Sequence, residues 1–352
     1  MIAPSNIVSL RVAGTVYQGW TRVSVTAGIE RAARDFRFDI TRQWPGDEGM
    51  QHNCRPGDSC VLMIGDDRIL TGYIDAVPVQ YDSGRITLGL SGRSKTADLI
   101  DCSAPSSPGQ WLGQSVEQIA SALAAPYGIS VRSEADTGAT ISDHQVQQGE
   151  TAFESIDRLL KQRQLLATDD SDGALVFIKP GTRSATTALV LGQNILTADY
   201  PNDWKDRYST YTCKGQGSGT DDAFGADVSE AEGTATDTAV TRHRLLIVQQ
   251  SGQADTISCD DRAAYERDLR AARSQAVTYT VQGWRQADGS LWQPNMIVRV
   301  TDALLGLDLA MLITEVTYTL DQSGTLATLA VMPPEAHLGV ERRRKTKKKK
   351  YV

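Results

Sequence analysis

Apolar and polar residues alternate through much of this chain, and clusters of turn formers cut the alternation into short strands. The most regular stretch runs from Val277 to Pro334. Val277, Tyr279 and Val281 occupy every second position, and a Gly283-Trp284 pair and a polar turn lead to Leu291-Trp292-Gln293-Pro294-Asn295. Strand-like runs follow at Ile297 to Thr301, Met311 to Leu320 and Thr325 to Val331. Period-2 apolar residues between turn formers are the signature of half-buried antiparallel strands. The same outline occurs earlier, with Pro56-Gly57-Asp58, then Cys60 to Ile64, Ile69 to Tyr81 and Arg85 to Leu90. Ile74-Asp75-Ala76-Val77 aligns with Ile313-Thr314-Glu315-Val316, and Tyr81 to Ile86 aligns with Leu320 to Leu326 after one inserted residue. The correspondence predicts a duplication: two similar small β-barrels in one chain. Val298 and Val300 in the later copy, and Cys60 and Leu62 in the earlier one, are expected to face the cores.

The rest of the chain divides around these copies. Residues 1–100 read as all β, with Val8, Leu10 and Val12, then Val23 and Val25, then Phe36, Phe38 and Ile40 on alternating positions. From 101 the pattern changes. A Ser/Pro linker, Cys102 to Gly109, precedes a helix opened by Ser115 with Gln118 as its capping-box partner. A second helix opens at Thr151 with Glu154, carrying Phe153, Ile156, Leu159 and Leu160 on one stripe. A hairpin follows, from Leu165 to Ile178 around the turn Thr168 to Gly173. Residues 101–185 thus predict an α/β insertion domain in a mainly β chain. Residues 186–335 hold the second barrel, with strands expected at Ala188 to Leu191, Ile195 to Ala198, Arg207 to Cys213 and Arg244 to Val248. Asp260 is expected to cap a helix bearing Tyr265, Leu269, Ala272 and Ala276. Residues 215–237, rich in glycine and acids and without a base, predict a mobile loop. Residues 336–352 form a basic tail.

Composition narrows the class. A chain of 352 residues with 40% hydrophobic and 22% charged side chains can bury real cores. No apolar run approaches the roughly 18 residues of a membrane span. The N-terminal stretch from Met1 to Gly14 lacks the basic and apolar regions of a secretory signal, which implies synthesis in the cytoplasm. Five widely spaced cysteines without a Cys-x-x-Cys predict free thiols rather than a disulfide framework. The net charge of −7 hides an asymmetry, because the last twelve residues contain eight basic side chains and a single acid. The body is therefore strongly acidic, which disfavours a nucleic-acid-binding surface on it. The tail residues Arg342, Arg343, Arg344, Lys345, Lys347, Lys348, Lys349 and Lys350 are candidates for contact with a polyanion or an acidic neighbour.

Catalytic patterns are missing. The four histidines show no metal-ligand spacing, and His52-x-Cys54 with Cys60 offers three ligands in a loop without a second pair. Thr168-Asp169-Asp170-Ser171-Asp172-Gly173 resembles the start of a calcium loop, but its first position lacks an acid and the twelfth is Lys179. A solvated hairpin turn is the better expectation. Neither a Walker lysine loop nor a Gly-x-Ser-x-Gly elbow occurs. The sequence thus predicts neither a metal site nor a cofactor, and no enzyme. Trp284, Trp292 and Pro294 flank the turn that opens the second barrel, and two roles fit them: plugging a barrel end, or meeting another subunit.

The run Gly283-Trp284-Arg285-Gln286-Ala287-Asp288-Gly289-Ser290-Leu291-Trp292-Gln293-Pro294-Asn295 resembles the baseplate hub proteins of Mu-like contractile-tailed phages. So does the segment from Gly149-Glu150-Thr151-Ala152-Phe153-Glu154 through Asp172-Gly173. The wider group includes the T4-type baseplate hub, the late control protein D family and the hub part of type VI secretion spike proteins. The resemblance spans about residues 1 to 335 and implies a non-enzymatic homotrimer of the virion baseplate. Each subunit would give two barrels to a pseudo-sixfold ring that adapts the sixfold tail tube to the threefold central spike. Its partners would be itself, the tail tube protein, the central spike protein, other baseplate proteins and DNA passing through the channel. The basic tail has no counterpart in this pattern. Two other functions compete: a tail-tip cell-wall hydrolase, and a nucleic-acid-binding module acting through the basic tail.

Overall fold

A computed structural model describes residues 4–42, 54–81, 86–163, 165–216, 231–253 and 256–334. The basic tail and the loop holding His52 lie outside the described residues. Two compact units are present, the first made of 1–197, 279–308 and 313–330, the second mainly of 198–278.

The N-terminal strands of the first unit are β1 (Val8–Val12), β2 (Thr15–Tyr17), β3 (Arg22–Gly28), β4 (Asp35–Arg42), β5 (Ser59–Ile64), β6 (Asp67–Ala76), β7 (Val79–Tyr81) and β8 (Ile86–Ser94). Alternation sets their faces: Val23, Val25, Phe36 and Phe38 are almost fully buried, while Arg22 and Arg37 point to water. The expected single strand from Ile69 to Tyr81 is two strands, broken at Val77 and Pro78. Proline has no N–H to give a ladder.

The insert contains α1 (Ala97–Asp101), β9 (Gln110–Gln114), α2 (Val116–Ala124), β10 (Val131–Ser133), β11 (Ile141–Gln145), α3 (Ala152–Arg163), β12 (Leu166–Asp169) and β13 (Leu175–Ile178). Both capping boxes form. Ser115 Oγ accepts from Gln118 N at 3.2 Å while Gln118 Oε1 accepts from Ser115 N at 2.9 Å, and Thr151 and Glu154 repeat the exchange at 3.1 and 2.8 Å. Val116, Ile119, Leu123, Ile156, Leu159 and Leu160 join Leu175 and Phe177 in one core. Between the expected linker and α2 lies β9, a strand the sequence pattern does not predict, which pairs antiparallel with β11.

The chain continues as β14 (Arg183–Ser184), β15 (Leu189–Val190) and β16 (Ile195–Asp199), then β17 (Thr210–Gln216), β18 (Ala231–Thr236), β19 (Leu245–Gln253) and α4 (Thr256–Arg273). Strands β20 (Val277–Gln282), β21 (Met296–Asp302), β22 (Leu307–Asp321) and β23 (Gly324–Met332) complete it. In the second unit β18, β17 and β19 form a sheet under α4, around Tyr211, Cys213, Ala231, Ala235, Cys259 and Ala263. Here the expected loop needs correction at its two ends: Gly215 and Gln216 end β17, and Ala231–Thr236 is a regular strand, while 217–230 lie outside the described residues. Small residues make β18 possible without an apolar run. Its Gly233 lies so close to α4 that an added Cβ would sit 2.1 Å from Asp260 N. The helix α4 also begins earlier than Asp260, at Thr256.

Topology displays the repeat. The main sheet runs β16-β20-β23-β22-β3-β4-β8-β6-β5-β1-β2, with β21 beside β22. The series β3-β4-β8-β6-β5 is thus matched by β16-β20-β23-β22-β21. The copies join where β3 pairs antiparallel with β22, from Val23 opposite Leu320 to Gly28 opposite Glu315. They differ at the outer strand: β5 has an antiparallel neighbour in β1, whereas β21 has parallel neighbours in β14 and β15. Cys60, Leu62, Val298 and Val300 are all buried, at 2% exposure or less.

Candidate assembly surface

The turn between β20 and β21 is organised by its own side chains. Gly283 and Gly289 have φ of 77° and 84°, in the left-handed region that suits glycine. Trp284 is fully buried, and its Nε1 donates to Thr319 O at 3.0 Å and Leu326 O at 2.9 Å, closing the β22–β23 end. Trp292 is buried as well, and Tyr318 Oη donates to its carbonyl oxygen. Both rings are thus covered by this chain, while Pro294 is half-buried. Buried Gln286 accepts from Thr186 N at 2.7 Å and donates to Ser290 Oγ at 3.1 Å, tying β14–β15 to the turn. Buried Asn295 accepts from Gly181 N at 2.7 Å.

Arg285 extends from this turn to the first copy. Its guanidinium donates to Ser5 O at 2.7 Å, Asn6 Oδ1 at 3.2 Å and Ile64 O at 3.3 Å, and pairs with Asp67 at 2.8 Å. A charge beside several carbonyl oxygens loses much of its water, so these contacts fix one arrangement of the two copies. Sequence patterns pointed to the tryptophans here but did not reveal this arginine's role.

The hairpin, expected to be a solvated turn, is partly buried. Asp169 is 2% exposed and is clamped by Arg34, whose Nε reaches Oδ1 at 3.2 Å and whose backbone N–H reaches Oδ2 at 3.2 Å. Burial pushes the Asp169 carboxyl up, and Arg34 opposes that shift. Arg34 also donates to Ile69 O at 2.6 Å, and Thr71 Oγ1 to Ser171 O at 2.8 Å, so the hairpin is docked on β6. Asp170 turns inward on its own loop, accepting from Asp172 N and Ala174 N at 2.9 Å. These carboxylates are committed to the fold. Among the described residues, no group of three or more His, Cys, Asp and Glu side chains could hold a metal ion. Burial raises the thiol of Cys60 to about 12, so it stays protonated at neutral pH. No helix among the described residues is long and apolar enough to cross a membrane.

What the first unit leaves available is sheet edge and polar sheet face. Thr21, Arg22, Arg37, Asp39, Gln80 and Thr87 line an open groove of about 1100 Å³, whose far wall is the β22–β23 turn. Val79 and Tyr81 on β7 are 56% and 82% exposed, and Leu196 on β16 is 53% exposed. An arrangement with committed interior polar groups and open strand edges is suited to assembly.

Residues 7–94 match the family described as Mu phage baseplate assembly protein GpP-like, N-terminal. Residues 96–179 match baseplate hub protein gp44-like, second domain, and residues 255–340 match Mu phage baseplate assembly protein GpP, fourth domain. The chain is 37% identical to baseplate hub protein gp44 of Escherichia phage Mu, over 98% of this chain and 92% of that protein. Its fold is similar to the 43 kDa tail protein of prophage MuSo2 from Shewanella oneidensis, with TM-score 0.84, 33% identity, and 94% and 99% of the two chains covered. It is also similar to the tail protein from Neisseria meningitidis MC58, with TM-score 0.80, 25% identity, and 94% and 98% covered. The docked insert, the repeated sheet and these likenesses lead to one conclusion: the chain belongs to the baseplate hub proteins of Mu-like phages, structural proteins of the tail baseplate.

Proposed function

We propose that three copies of this chain close into a ring that adapts a sixfold tail tube to a threefold central spike. The observation that carries this is the repeat itself. The series β3-β4-β8-β6-β5 and β16-β20-β23-β22-β21 give one chain two like units, so three chains present six. A closed ring of heterologous contacts satisfies every copy without growing into a filament. In this reading the hub has no enzymatic role, its neighbours are the tube protein, the spike protein and other baseplate proteins, and DNA passes through the ring. Arg342 to Lys350 then serve as a positively charged contact for DNA or an acidic neighbour.

Light scattering at micromolar concentration tests the ring, with electron-microscope class averages as a check. Three chains around a central hole are expected. A stable dimer, or a monomer that persists with the spike partner added, overturns it. Removal of residues 341–352 is expected to leave that mass unchanged while abolishing salt-sensitive retention on a polyanionic resin.

A further inference from the structure

The junction between the copies inside one chain shows what covers a strand at this place in the repeat. The aligned positions Ile74 and Ile313 place Val79 opposite Tyr318, and Tyr81 opposite Leu320, in the repeat. On β22 those residues lie against β3, where Tyr318 pairs with Val25 and Leu320 with Val23. Tyr318 is accordingly 3% exposed and Leu320 half-buried. On β7 the equivalent residues have β8 on one side and, among the described residues, no strand on the other, and Val79 and Tyr81 are 56% and 82% exposed.

The second repeat has the complementary gap at β16, the end strand of the sheet. By position in the series, β16 is the counterpart of β3. Whereas β3 is held between β4 and β22, the one strand paired with β16 among the described residues is β20, apart from a single bridge from Ile195 to Leu191 at its start. Val23 and Val25 on β3 are 1% exposed or less, while Leu196 on β16 is 53% exposed and Thr197 beside it is also open to water. Among the described residues, one chain therefore has a strand edge lacking a β3-like neighbour and a β3-like strand lacking a β22-like neighbour. Unpaired edges with apolar side chains recruit other strands unless something covers them.

We propose that β7 of one copy takes β16 of a second copy as its sheet neighbour, repeating between chains the β22–β3 junction found within each. Tyr81 and Val79 meet the side chains of the incoming strand, Leu196 among them, as Leu320 and Tyr318 meet Val23 and Val25. The contact is head-to-tail, since each copy offers β7, beside β8 in its first repeat, and β16, which opens its second. It rests on the three-chain ring proposed above and names the edges that close it.

Cysteine pairing tests it. Gln80→Cys is combined in turn with Leu196→Cys, Thr197→Cys and Ala198→Cys, because the register between chains is open. Of the five native thiols only Cys102 is not buried, so single variants report the background. Under mild oxidation at least one double variant is expected to run as linked chains, up to three, on a denaturing gel, with no linkage in the singles. In parallel, Tyr81→Asp and Leu196→Asp, both at exposed positions, are expected to weaken association by about thirtyfold or more, as loss of a central apolar contact does. Three chains by light scattering, with no double variant linked and both Asp variants still trimeric, overturn the β7–β16 pairing and leave the ring standing. A wild-type chain that stays monomeric overturns both.

Discussion

The backbone N–H of Asn295 donates to the carbonyl oxygen of Ile313 at 2.9 Å, and in the first copy Gly57 does the same to Ile74 at 2.7 Å. The two donors open β21 and β5, and both have positive φ, 67° for Asn295 and 92° for Gly57. A left-handed residue turns the chain so that its N–H faces the partner strand, and only glycine and a few polar residues adopt it cheaply. The bond marks the duplicated copies at the level of single atoms. It also yields a contrast. Gly57→Ala adds strain alone, since a Cβ there meets nothing within 4 Å, and is expected to cost about 1 kcal/mol. Asn295→Val adds strain and removes the Oδ1 acceptor of Gly181 N, for about 3 kcal/mol. Chemical denaturation of both variants checks the order. Equal losses would show that the side-chain bond contributes little.

Arg34 and Asp169 form a pair that tolerates loss of both members better than loss of one. Asp169→Ala leaves a guanidinium only 19% exposed without its carboxylate, and Arg34→Ala leaves the carboxylate buried alone. Each single change is expected to cost about 3–5 kcal/mol, and the double variant clearly less than their sum. A double-mutant cycle by urea denaturation measures the coupling. Strict additivity would mean that the hairpin is held by its other contacts.

The strands of the two copies were legible because alternating apolar residues stand between Pro, Gly and Asn turns, and Val298, Val300, Cys60 and Leu62 lie where alternation places them. The caps at Ser115 and Thr151 were equally readable, since one side chain and one spacing define them. Strand β18 was not legible: Ala231 to Thr236 is alanine, glycine, threonine and glutamate, and it is a strand because small residues admit α4. Strands β9 and β11 pair through residues such as Gln110 and Asp143, whose polarity resembles a loop. Asp169 looked like a wet turn residue because its partner, Arg34, is distant in sequence and only the fold brings them together.

His144 gives the insert a dependence on pH. It is 5% exposed, packs near Trp111 at 6.1 Å between ring centroids, and exchanges a hydrogen bond with Ser155 Oγ at 2.8 Å. Burial, with Arg158 nearby, holds its imidazole below the ordinary value. The unfolded chain then takes up the proton first as pH falls. The stabilisation is complete above about pH 6.5, the unfolded value, and is lost as pH drops towards the folded one. The melting temperature of the wild-type chain is expected to decline through this window, and His144→Gln to flatten the decline. An unchanged slope in the variant would assign the acid sensitivity to other groups.

Gly233 sets the distance between α4 and its sheet. It lies opposite Cys213 on β17, and a Cβ at 233 would meet Asp260 N at 2.1 Å and Cys259 C at 2.2 Å. Both are backbone atoms of the helix, so no side-chain rotation relieves the clash, and α4 must move away from Cys213 and Tyr211. Gly233→Ala is therefore expected to cost at least about 2 kcal/mol, although a strand position would otherwise favour alanine over glycine. Thr234→Ala, on the exposed face of the same strand, is the control and is expected to cost about 0.5 kcal/mol or less. Hydrogen exchange localises the effect: amides of β17, β18 and α4 should lose protection in Gly233→Ala, while those of α2 and α3, in the first unit, keep theirs. If Gly233→Ala matches the control in stability and exchange, α4 has room to shift, and glycine is not what allows the helix to pack here.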